Sequence, residues 1–410
     1  MPSFHYRVEL RNKSGALLEF LESDVLDLWW KHDFIGGCGE AYMALRREFD
    51  DYGDIKEDYD VQIRRVAPPA PLPPGVALPA QLPIKLAGEQ WLEELRWRGT
   101  IIGIEPTYAE NEFVALRCHG YRRLLEKIAV ANVTRSSEDV AAAARYIIDT
   151  YVVPGSQIKR TAALDLVQDT GKVISSIGVT YDTYAHNVLE DLAKIGGNAE
   201  WGVRPDNEIY FLPRSNSVKQ THDISQNVSL FVPETDSNPV IRKVFIRGKS
   251  GFTATVTSSL GDEANYNRHA IIGNPALANA GDATLWATAY FDVHEAVQPR
   301  GQLVFLESDL WIENRTDIAG ISMPPLGKLR VTGGPVFIIA GGRLAGQFPF
   351  KLAGASGGST DKSFTPHSIR YRPTGNALQI EVDLGEEGSE LGDLIGWIQH
   401  RLESVRQLAA

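Results

Sequence analysis

The sequence predicts an α+β protein of several domains, in which two strand-rich parts flank a small α/β unit and a helix ends the sequence. Three observations lead to this fold class. The 410 residues exceed what one hydrophobic core usually organises, and roughly two to four domains suit that length better. Alternating polar and apolar residues, typical of strands, fill the first third and much of the second half. Between them, apolar residues recur at helical spacing beside helix-capping residues.

Residues 1–130 are predicted to form the first strand-rich domain. Polar and apolar residues alternate over residues 6–10 and again over residues 59–64, which indicates strands. Residues 41–49 fit either a strand or a short helix, because their spacing favours neither. Proline is dense over residues 67–83, which excludes the interior of a packed strand or helix. We interpret that segment as a surface insertion of this domain, with a linker between domains as the alternative.

Residues 131–215 are predicted to form the small α/β domain. A first helix is predicted over residues 136–151, where serines and acidic residues supply an N-cap, and a proline and a glycine follow as a stop signal. A second helix is predicted over residues 181–195, with one apolar face and a pair of glycines at its end. Two short apolar runs around a polar turn then predict a hairpin over residues 199–212.

Residues 216–390 are predicted to form the second strand-rich domain. Strands are predicted at residues 240–247 and 378–384, among others, and a helix at residues 283–296 interrupts the series. An acidic stretch leads into a C-terminal helix predicted over residues 391–410. Its apolar positions fall on one face: Leu391, Leu394, Ile395, Ile398, Leu402 and Val405.

The formal net charge of −11 argues against general nucleic-acid binding, which requires clustered lysines and arginines to displace counterions. An acidic wall can still surround DNA without holding it. The sequence has no run of about 18 apolar residues and no apolar signal segment after Met1, so neither stable membrane insertion nor secretory export is expected. Cys38 and Cys118 are far apart in the sequence, and we predict two buried, reduced thiols.

Three short motifs resemble known reactive sites but lack essential parts. Asp169-Thr170-Gly171 occurs once, whereas aspartic-protease chemistry needs two carboxylates that share a proton, so we interpret it as a turn before a strand. His294-Glu295 is followed by Gln298 where a zinc-binding HExxH motif requires a second histidine. Residues 36–40 are rich in glycine but lack the lysine of a phosphate-binding loop, and a backbone bend or bulge is expected there.

No catalytic, cofactor-binding or metal-binding residue is predicted from these patterns, and no cofactor is expected. Acidic pairs such as Asp50-Asp51 and Glu386-Glu387 are interpreted as solvated loop charges, with a glycosidase-like carboxylate pair as the alternative. Tryptophans are frequent in predicted strands, where packing or subunit contact is the usual role and a carbohydrate platform the alternative. The eight tryptophans of the sequence include Trp29, Trp30, Trp91 and Trp97, and several of them lie in predicted strands.

Three stretches resemble the baseplate-hub and tail-tip hub proteins of siphophages, contractile tails and gene transfer agents. The first comprises LRWRGTIIG at residues 95–103 and VALRCHGYRRLL at residues 114–125, which is similar to a strand pair of that family. The second, residues 181–211, is similar to its helix and hairpin. The third, residues 367–385 with the terminal helix, is similar to its ending. The order and spacing of the three carry the resemblance, which runs from about residue 28 onward.

The resemblance implies a homotrimeric ring in which each chain has two split β-barrel hub domains flanking the α/β domain, and it brings no catalytic residues. The implied role is structural, at the virion tail tip, after synthesis in the cytoplasm of the bacterial host. The ring would join the tail tube to the tip and surround a channel. Implied partners are a distal tail ring protein, the C-terminus of a tape-measure protein and a tip or fibre protein, while DNA passes through without specific binding.

Two alternatives of other classes stay open on the sequence. A tail-associated peptidoglycan hydrolase is suggested by the many carboxylates, although no separate lysozyme or peptidase module is recognisable. A glycan-binding or receptor-binding tail protein is suggested by the tryptophans, although such proteins usually contain a repetitive β-helix or a coiled-coil stalk. The proline-rich residues 67–83 do not belong to the hub pattern.

Overall fold

The computed structural model describes most of the chain up to residue 306 and part of the remainder. The predicted C-terminal helix at residues 391–410 and nearly all of the proline-rich segment, residues 68–83, lie outside the described residues. The described residues are 5–20, 25–33, 35–46, 55–67, 92–107, 113–131, 133–174, 177–179, 183–215, 218–223, 230–236, 241–248, 251–259, 269–274, 277, 279–294, 298–306, 328–332, 337–339, 343–345, 362–364, 366–374 and 377–384.

The first part of the chain is built from long strands, as their alternating sequence predicts. Val8 and Leu10 are buried while Arg7, Glu9 and Arg11 lie on the opposite face, because successive side chains of a strand point to opposite sides. The segment that fitted a strand or a helix is a strand as far as Arg46. The elements are β1 (His5–Arg11), β2 (Leu17–Phe20), β3 (Val25–Asp33), β4 (Gly36–Arg46), β5 (Asp60–Ala67), β6 (Leu92–Thr107) and β7 (Phe113–Gly120).

The α/β unit follows with short strands and two main helices, as predicted. Asp139 caps the first helix by accepting a 2.8 Å hydrogen bond from the amide of Ala141. This helix passes through one π-helical segment, Ile148–Val152, before it ends. The elements are a 3₁₀ helix (Tyr121–Glu126), β8 (Ala129–Val130), β9 (Val133–Arg135), β10 (Glu138–Asp139), α1 (Val140–Ile147), α2 (Val153–Gly155), a 3₁₀ turn (Ala162–Leu164), β11 (Val173–Ile174), β12 (Ile177–Val179), β13 (Thr183–Tyr184), α3 (Ala185–Ile195), β14 (Glu200–Val203) and β15 (Ile209–Leu212).

The rest of the described chain is again mostly strands, interrupted by one long helix. That helix, predicted at residues 283–296, spans Ala280–His294. None of the helices in the described part of the chain has the length and hydropathy needed to cross a membrane. The elements are β16 (Val218–Asp223), β17 (Leu230–Asp236), β18 (Lys243–Arg247), β19 (Thr253–Thr257), β20 (His269–Gly273), α4 (Ala280–His294), β21 (Gln298–Leu306), β22 (Lys328–Thr332), β23 (Phe337–Ile339), β24 (Arg343–Ala345), β25 (Lys362–Phe364), β26 (Pro366–Thr374) and β27 (Ala377–Leu384).

One large sheet dominates the described residues, and the predicted α+β class is confirmed. It has 13 strands, of which 11 follow the order β17-β21-β27-β26-β3-β4-β7-β6-β5-β1-β2. Every pairing along that order is antiparallel. The remaining two strands, β14 and β15, come from the α/β unit. β14 joins the sheet by pairing in parallel with β4, and β15 pairs with β14.

The sheet draws strands from both of the strand-rich parts of the sequence. The pairing of β26 with β3 connects them, with Tyr371 opposite Trp30. The aromatic rings of this pair stack with centroids 5.5 Å apart inside one apolar core that strands from β1 to β27 share. A second core lies between α1, α3, α4 and the small sheet of β18, β19 and β20. The domain boundaries at residues 131 and 216 therefore stay a prediction. The large sheet itself contains strands from before the first boundary and from after the second.

Glycines bring the sheet and the α/β unit into direct backbone contact. Gly36 and Gly37 adopt φ values of +110° and +79° and pair with Gly202 and Val203. A Cβ atom on Gly37 would overlap the backbone of Val203, so a larger residue cannot take this place without displacing the strand. The expected backbone bend at residues 36–40 is thus confirmed, and it marks the point where β14 joins the sheet.

Candidate interaction surface

The Asp-Thr-Gly motif is a turn held by the helix-capping aspartate. Asp139 Oδ1 accepts a hydrogen bond of 3.1 Å from the amide of Thr170, and Oδ2 accepts one of 2.9 Å from the amide of Gly171. Gly171 has a φ of +71°, a value that glycine adopts without strain. Asp169 itself is 74% exposed and lies 3.8 Å from Arg145 Nη2. The interpretation as a turn is confirmed.

His294 lies at the end of α4 and is buried against an aromatic ring. Its imidazole stacks on Tyr290 with ring centroids 4.1 Å apart. Within the residues that the structure describes, no group of three His, Cys, Asp or Glu side chains could hold a metal ion. His294 therefore packs as a core residue in this fold.

Cys38 in β4 and Cys118 in β7 are buried and unbridged, as predicted. Both side chains belong to the apolar core beneath the sheet. Burial raises the pKa of Cys38 to about 12 and raises that of Cys118 as well, because a thiolate is poorly solvated there. Neither thiol is therefore suited to act as a nucleophile near neutral pH.

The tryptophans divide between the core and the outer face of the sheet. Trp30 and Trp97 are fully buried, and Trp97 Nε1 donates a 3.3 Å hydrogen bond to the carbonyl oxygen of Gly39. Trp29, one residue before Trp30, points to the opposite side because it belongs to the same strand. Trp91 lies outside the described residues. Core packing is thus confirmed for two tryptophans, and Trp29 lies on the outer face.

A row of aromatic and charged side chains crosses six neighbouring strands on that outer face. Trp29 and Tyr42 are partners in the sheet and stack with ring centroids 6.1 Å apart. The guanidinium carbon of Arg370 lies 5.0 Å from the Trp29 ring, within the range of a cation–π contact. We call this set the outer row; its members are Glu381, Arg370, Trp29, Tyr42, Arg117 and Glu105.

The outer row ends in an ion pair on each side. Arg370 Nη1 lies 3.4 Å from Glu381 Oε2, and Arg117 is paired with Glu105 at the other end. The side chains of Arg117 and Glu105 are 58% and 55% exposed, so solvent or another protein can reach them. Tryptophan, tyrosine and arginine are enriched where proteins bind one another. The composition and exposure of the outer row make it a candidate protein-binding surface.

A polar network around the buried side chains of Asp60 and Tyr121 links the sheet to the α/β unit. Arg98 Nε donates hydrogen bonds of 2.9 Å and 3.2 Å to the two carboxylate oxygens of Asp60. Tyr121 Oη lies 2.7 Å from Asp60 Oδ1 and 2.9 Å from Gln157 Oε1. The hydroxyl has one hydrogen, which it donates to only one of these two oxygens at a time. Burial and the charge of Asp60 raise the pKa of Tyr121, which keeps the hydroxyl protonated. The hydroxyl of Tyr121 therefore adds a hydrogen bond to the glycine contact between the sheet and the α/β unit.

Comparison with known proteins gives a result for the fold. No protein-family model matches the sequence, and no curated protein matches it. A tail protein from Neisseria meningitidis MC58 matches the structure with a TM-score of 0.57 and 12% identity, over 94% of this chain and 97% of that chain. The 43 kDa tail protein of prophage MuSo2 from Shewanella oneidensis matches with a TM-score of 0.56 and 12% identity, over 94% and 99%.

A third match is the prophage tail protein gp18 from Listeria monocytogenes EGD-e. Its TM-score is 0.53 and its identity 9%, over 97% of this chain and 99% of that chain. The chain therefore has the fold of phage and prophage tail proteins along nearly its whole length. This agrees with the resemblance that the sequence motifs carry.

Proposed function

We propose that this chain is a structural protein of a phage-type tail, and that it acts as the hub of the tail tip or baseplate. The observation that carries the proposal is the extent of the structural match. Each of the three tail proteins is covered over at least 97% of its own length. The match thus extends over the whole architecture and is not confined to one widespread module. It therefore supports a shared structural role more strongly than a match to one common fold would.

The sequence stretches that resemble hub proteins fall on matching elements of the fold. Residues 95–103 and 114–125 include most of the antiparallel pair β6 and β7. Residues 181–211 contain α3 and nearly all of the hairpin of β14 and β15. Residues 367–385 contain the hairpin of β26 and β27 except its first residue. The described part of the resemblance therefore falls largely on paired strands and on a helix with its hairpin, which supports its use for the proposed role.

We further propose that residues 1–130 and 216–390 contribute two split barrels to each chain, and that three chains close a ring. The curvature of the large sheet supports a barrel. Tyr6 of β1 and Trp30 of β3 are separated by β4, β7, β6 and β5 in the sheet order, yet their rings lie 5.2 Å apart. The sheet is thus curled so that the inner faces of distant strands meet, as closure into a barrel requires.

In this proposal the ring joins the tail tube to the tip. Three chains with two similar barrels each would present six similar sites, which suits a tube with six subunits per ring. The proposed partners are the distal tail ring, the end of the tape-measure protein and a tip or fibre protein, which the outer row could bind. The net charge of −11 suits a channel through which DNA slides without adhering.

The number of copies of this chain in assembled tails tests both the tail role and the threefold ring. Tail particles would be purified from the source that encodes this chain, identified by mass spectrometry and imaged by cryo-electron microscopy. We expect this chain at the distal end in three copies. Any other copy number would contradict the ring while leaving the tail role intact. Particles that lack the chain altogether would contradict the tail role itself.

Native mass spectrometry provides a second, independent measurement of the ring. The expected trimer has three times the chain mass of 45.2 kDa. Because association depends on protomer concentration, the spectrum would be followed over a wide range of protein concentration. A dimer or tetramer that persists over that range would contradict threefold closure.

A further inference from the structure

The outer row combines an aromatic centre with charges that are already paired. Trp29 and Tyr42 lie on adjacent strands, and their ring planes differ by only 14°. The four charged members of the outer row form two ion pairs, one at each end. Beside Trp29 on the same face, Asp27 is paired with Arg372 at 3.0 Å. A partner therefore needs no charge of its own to bind these described side chains.

The outer row also supplies hydrogen-bond donors. A guanidinium has five N–H donors, of which a bidentate carboxylate uses two, and the side chains of Arg370 and Arg117 are 46% and 58% exposed. Burial and the charges of Asp27 and Glu105 raise the pKa of the Tyr42 hydroxyl, which therefore stays protonated and able to donate. The partner that matches these features is uncharged, with apolar rings and with carbonyl oxygens that accept hydrogen bonds.

Residues 67–83 of this chain have that chemistry. They contain seven prolines and no charged residue, and a proline offers an apolar ring and a carbonyl oxygen but no N–H. A proline-rich sequence favours the polyproline II helix, which has three residues per turn. With this repeat Pro68, Pro71 and Pro74 fall on one face. Aromatic-lined surfaces bind such segments, because the helix is already formed before binding.

The length of the outer row suits the proline run. The six strands that contribute to the row are neighbours in the sheet, and at about 4.8 Å between strands they span about 24 Å. A polyproline II segment of about eight residues has the same length. Residues 68–75 are eight residues long and contain five of the seven prolines.

We propose that the outer row binds the proline-rich segment of a second copy of this chain. Proline rings pack against Trp29 and Tyr42, and backbone carbonyl oxygens of the segment accept hydrogen bonds from Arg370 and Arg117. Such a contact joins two different surfaces, as the closed rotation of a ring requires. The proposal deepens the proposed ring and rests on it for the number of chains. A ring assembled in this way uses the outer row for its own chains, and a tip or fibre protein then binds elsewhere.

The strand register places the prolines of one chain far from the outer row of the same chain. Ala67, the last residue of β5, lies opposite Leu92 at the start of β6. The outer row passes β6 near Gly103, which lies opposite Arg117. From Leu92 to Gly103 the strand covers about 36 Å, whereas Pro71 is at most about 14 Å from Ala67. The proline run therefore meets the outer row of a second copy.

A peptide of residues 67–83 with blocked ends and a fluorescent label provides the first test. The protein is the whole chain with Pro68→Ala, Pro71→Ala and Pro74→Ala, so that its own segments do not compete for the outer row. Anisotropy should show saturable binding of the unaltered peptide. A control peptide with the same three substitutions should bind about tenfold more weakly. Equal affinity of the two peptides, or no binding of either, would overturn the proposal.

Variants of the same protein identify the surface that binds. Trp29→Ala and Tyr42→Ala should each weaken binding about tenfold. Tyr184→Ala is the matched control, because Tyr184 is an aromatic residue of β13 outside the outer row and is 46% exposed. Unchanged affinity in the Trp29 variant, or an equal loss in the Tyr184 variant, would contradict the proposal. Thermal unfolding of each variant shows whether it is folded, and the comparison of the two peptides needs no variant of the outer row.

The salt dependence tests the chemistry of the contact. Because the peptide has no charge, its affinity should change little between low and high NaCl. An affinity that falls steeply with salt would contradict a contact made by proline rings and carbonyl oxygens.

Cross-linking tests whether the segment reaches a second copy. A photo-reactive amino acid replaces Leu72, and chains labelled with heavy nitrogen are mixed with unlabelled chains before irradiation. Mass spectrometry should find cross-links that join the segment of one isotope to the outer row of the other. Cross-links confined to chains of one isotope would show that the segment binds its own chain and would overturn the proposal.

The contact and the ring are contradicted by different results. A trimer that persists in Trp29→Ala, together with no binding of the peptide, would overturn the contact and leave the ring intact. Binding of the peptide by a chain that never forms a trimer would support the contact and contradict the ring.

Discussion

His32 Nε2 donates a hydrogen bond of 2.8 Å to the carbonyl oxygen of Arg96 in the interior of the large sheet. A carbonyl oxygen only accepts, so the ring must carry its proton on Nε2. His32 also meets the ring of Tyr371 edge-on, with centroids 5.7 Å apart. Tyr371 belongs to β26, whereas Arg96 belongs to β6, so one neutral imidazole contacts strands from both strand-rich parts of the sequence.

The stability of the fold should therefore fall as the solution is acidified. Burial lowers the pKa of His32 from 6.5 to about 4. The unfolded chain thus binds a proton at higher pH than the folded chain, and the free energy of unfolding decreases between pH 6.5 and pH 4. The loss should approach about 3 kcal/mol. Denaturant unfolding across this pH range measures it.

His32→Gln isolates this contribution, because glutamine cannot gain the proton. We expect the variant to be less stable than the unaltered protein at neutral pH. Its free energy of unfolding should, however, decrease less between pH 6.5 and pH 4. His119→Gln serves as the control and should keep the full dependence, since His32 is intact in it. An identical pH dependence in His32→Gln and the unaltered protein would contradict the assignment.

Replacing Gly37 should weaken the contact between the sheet and the α/β unit. Gly37→Ala places a methyl group against the backbone of Val203 at a φ of +79°, and we expect a loss of about 2–4 kcal/mol in the free energy of unfolding. Gly273→Ala is the control, because Gly273 lies in β20 and a Cβ there meets no atom within 4 Å. Thermal and denaturant unfolding compare the two. Similar losses in both variants would show that the contact with Val203 is unimportant.

Asp139 should matter more for stability than the aspartate of the Asp-Thr-Gly motif. Asp139→Ala removes the cap of α1 and the three hydrogen bonds that Asp139 accepts from Thr170 and Gly171, at an expected cost of about 1–2 kcal/mol. Asp169→Ala should change stability by less than about 0.5 kcal/mol, because its side chain is exposed. Urea unfolding of both variants gives the comparison. A larger loss in Asp169→Ala would contradict the interpretation as a turn.

The two thiols should resist alkylation in the folded protein. Their raised pKa values leave little thiolate, and burial excludes the reagent from Cys38 and Cys118. Iodoacetamide followed by intact-mass measurement should show slow labelling without denaturant and labelling of both thiols after unfolding. An intrachain disulfide, or rapid labelling of the folded protein, would contradict this expectation.

The proposed structural role predicts that the purified chain neither clears peptidoglycan nor cleaves casein. A zymogram and a casein assay measure the two activities. The observation against an aspartic-protease site is that the Asp-Thr-Gly turn lies on the surface and is held by a helix cap. A lytic zone that disappears in Asp169→Ala would overturn the proposed structural role.

Much of the local structure was predictable, because its signals are local. The helix α3 and the hairpin of β14 and β15 follow from apolar spacing, glycines and turn residues that are neighbours in the sequence. Alternation also identified several strands of the first part, although it left residues 41–49, which include the end of β4, open between strand and helix. It does not say which strands pair. The pairing of β26 with β3 joins residues more than 300 positions apart, and no short pattern encodes it.

The contacts on the outer face of the sheet were only partly predictable for the same reason. Arg7-x-Glu9-x-Arg11 has the spacing of one strand face, so the contacts of Arg7 and Arg11 with Glu9 could be expected from the sequence. Arg64 comes from another strand, and only the register brings it near Glu9. The outer row likewise takes its members from six strands. Trp29 was noted among the tryptophans, but its stacking on Tyr42 depends on the pairing of β3 with β4.

The late arrival of β26 has a consequence for synthesis on the ribosome. β3 emerges early, but the strand that covers its free side is translated more than 300 residues later. Until then Trp30 lacks the ring of Tyr371, and one side of β3 offers unpaired backbone groups to other nascent chains. Such non-local pairings slow folding and prolong the exposure of aggregation-prone strands. Production of this protein should therefore depend on chaperone capacity and slow expression more than its ordinary composition suggests.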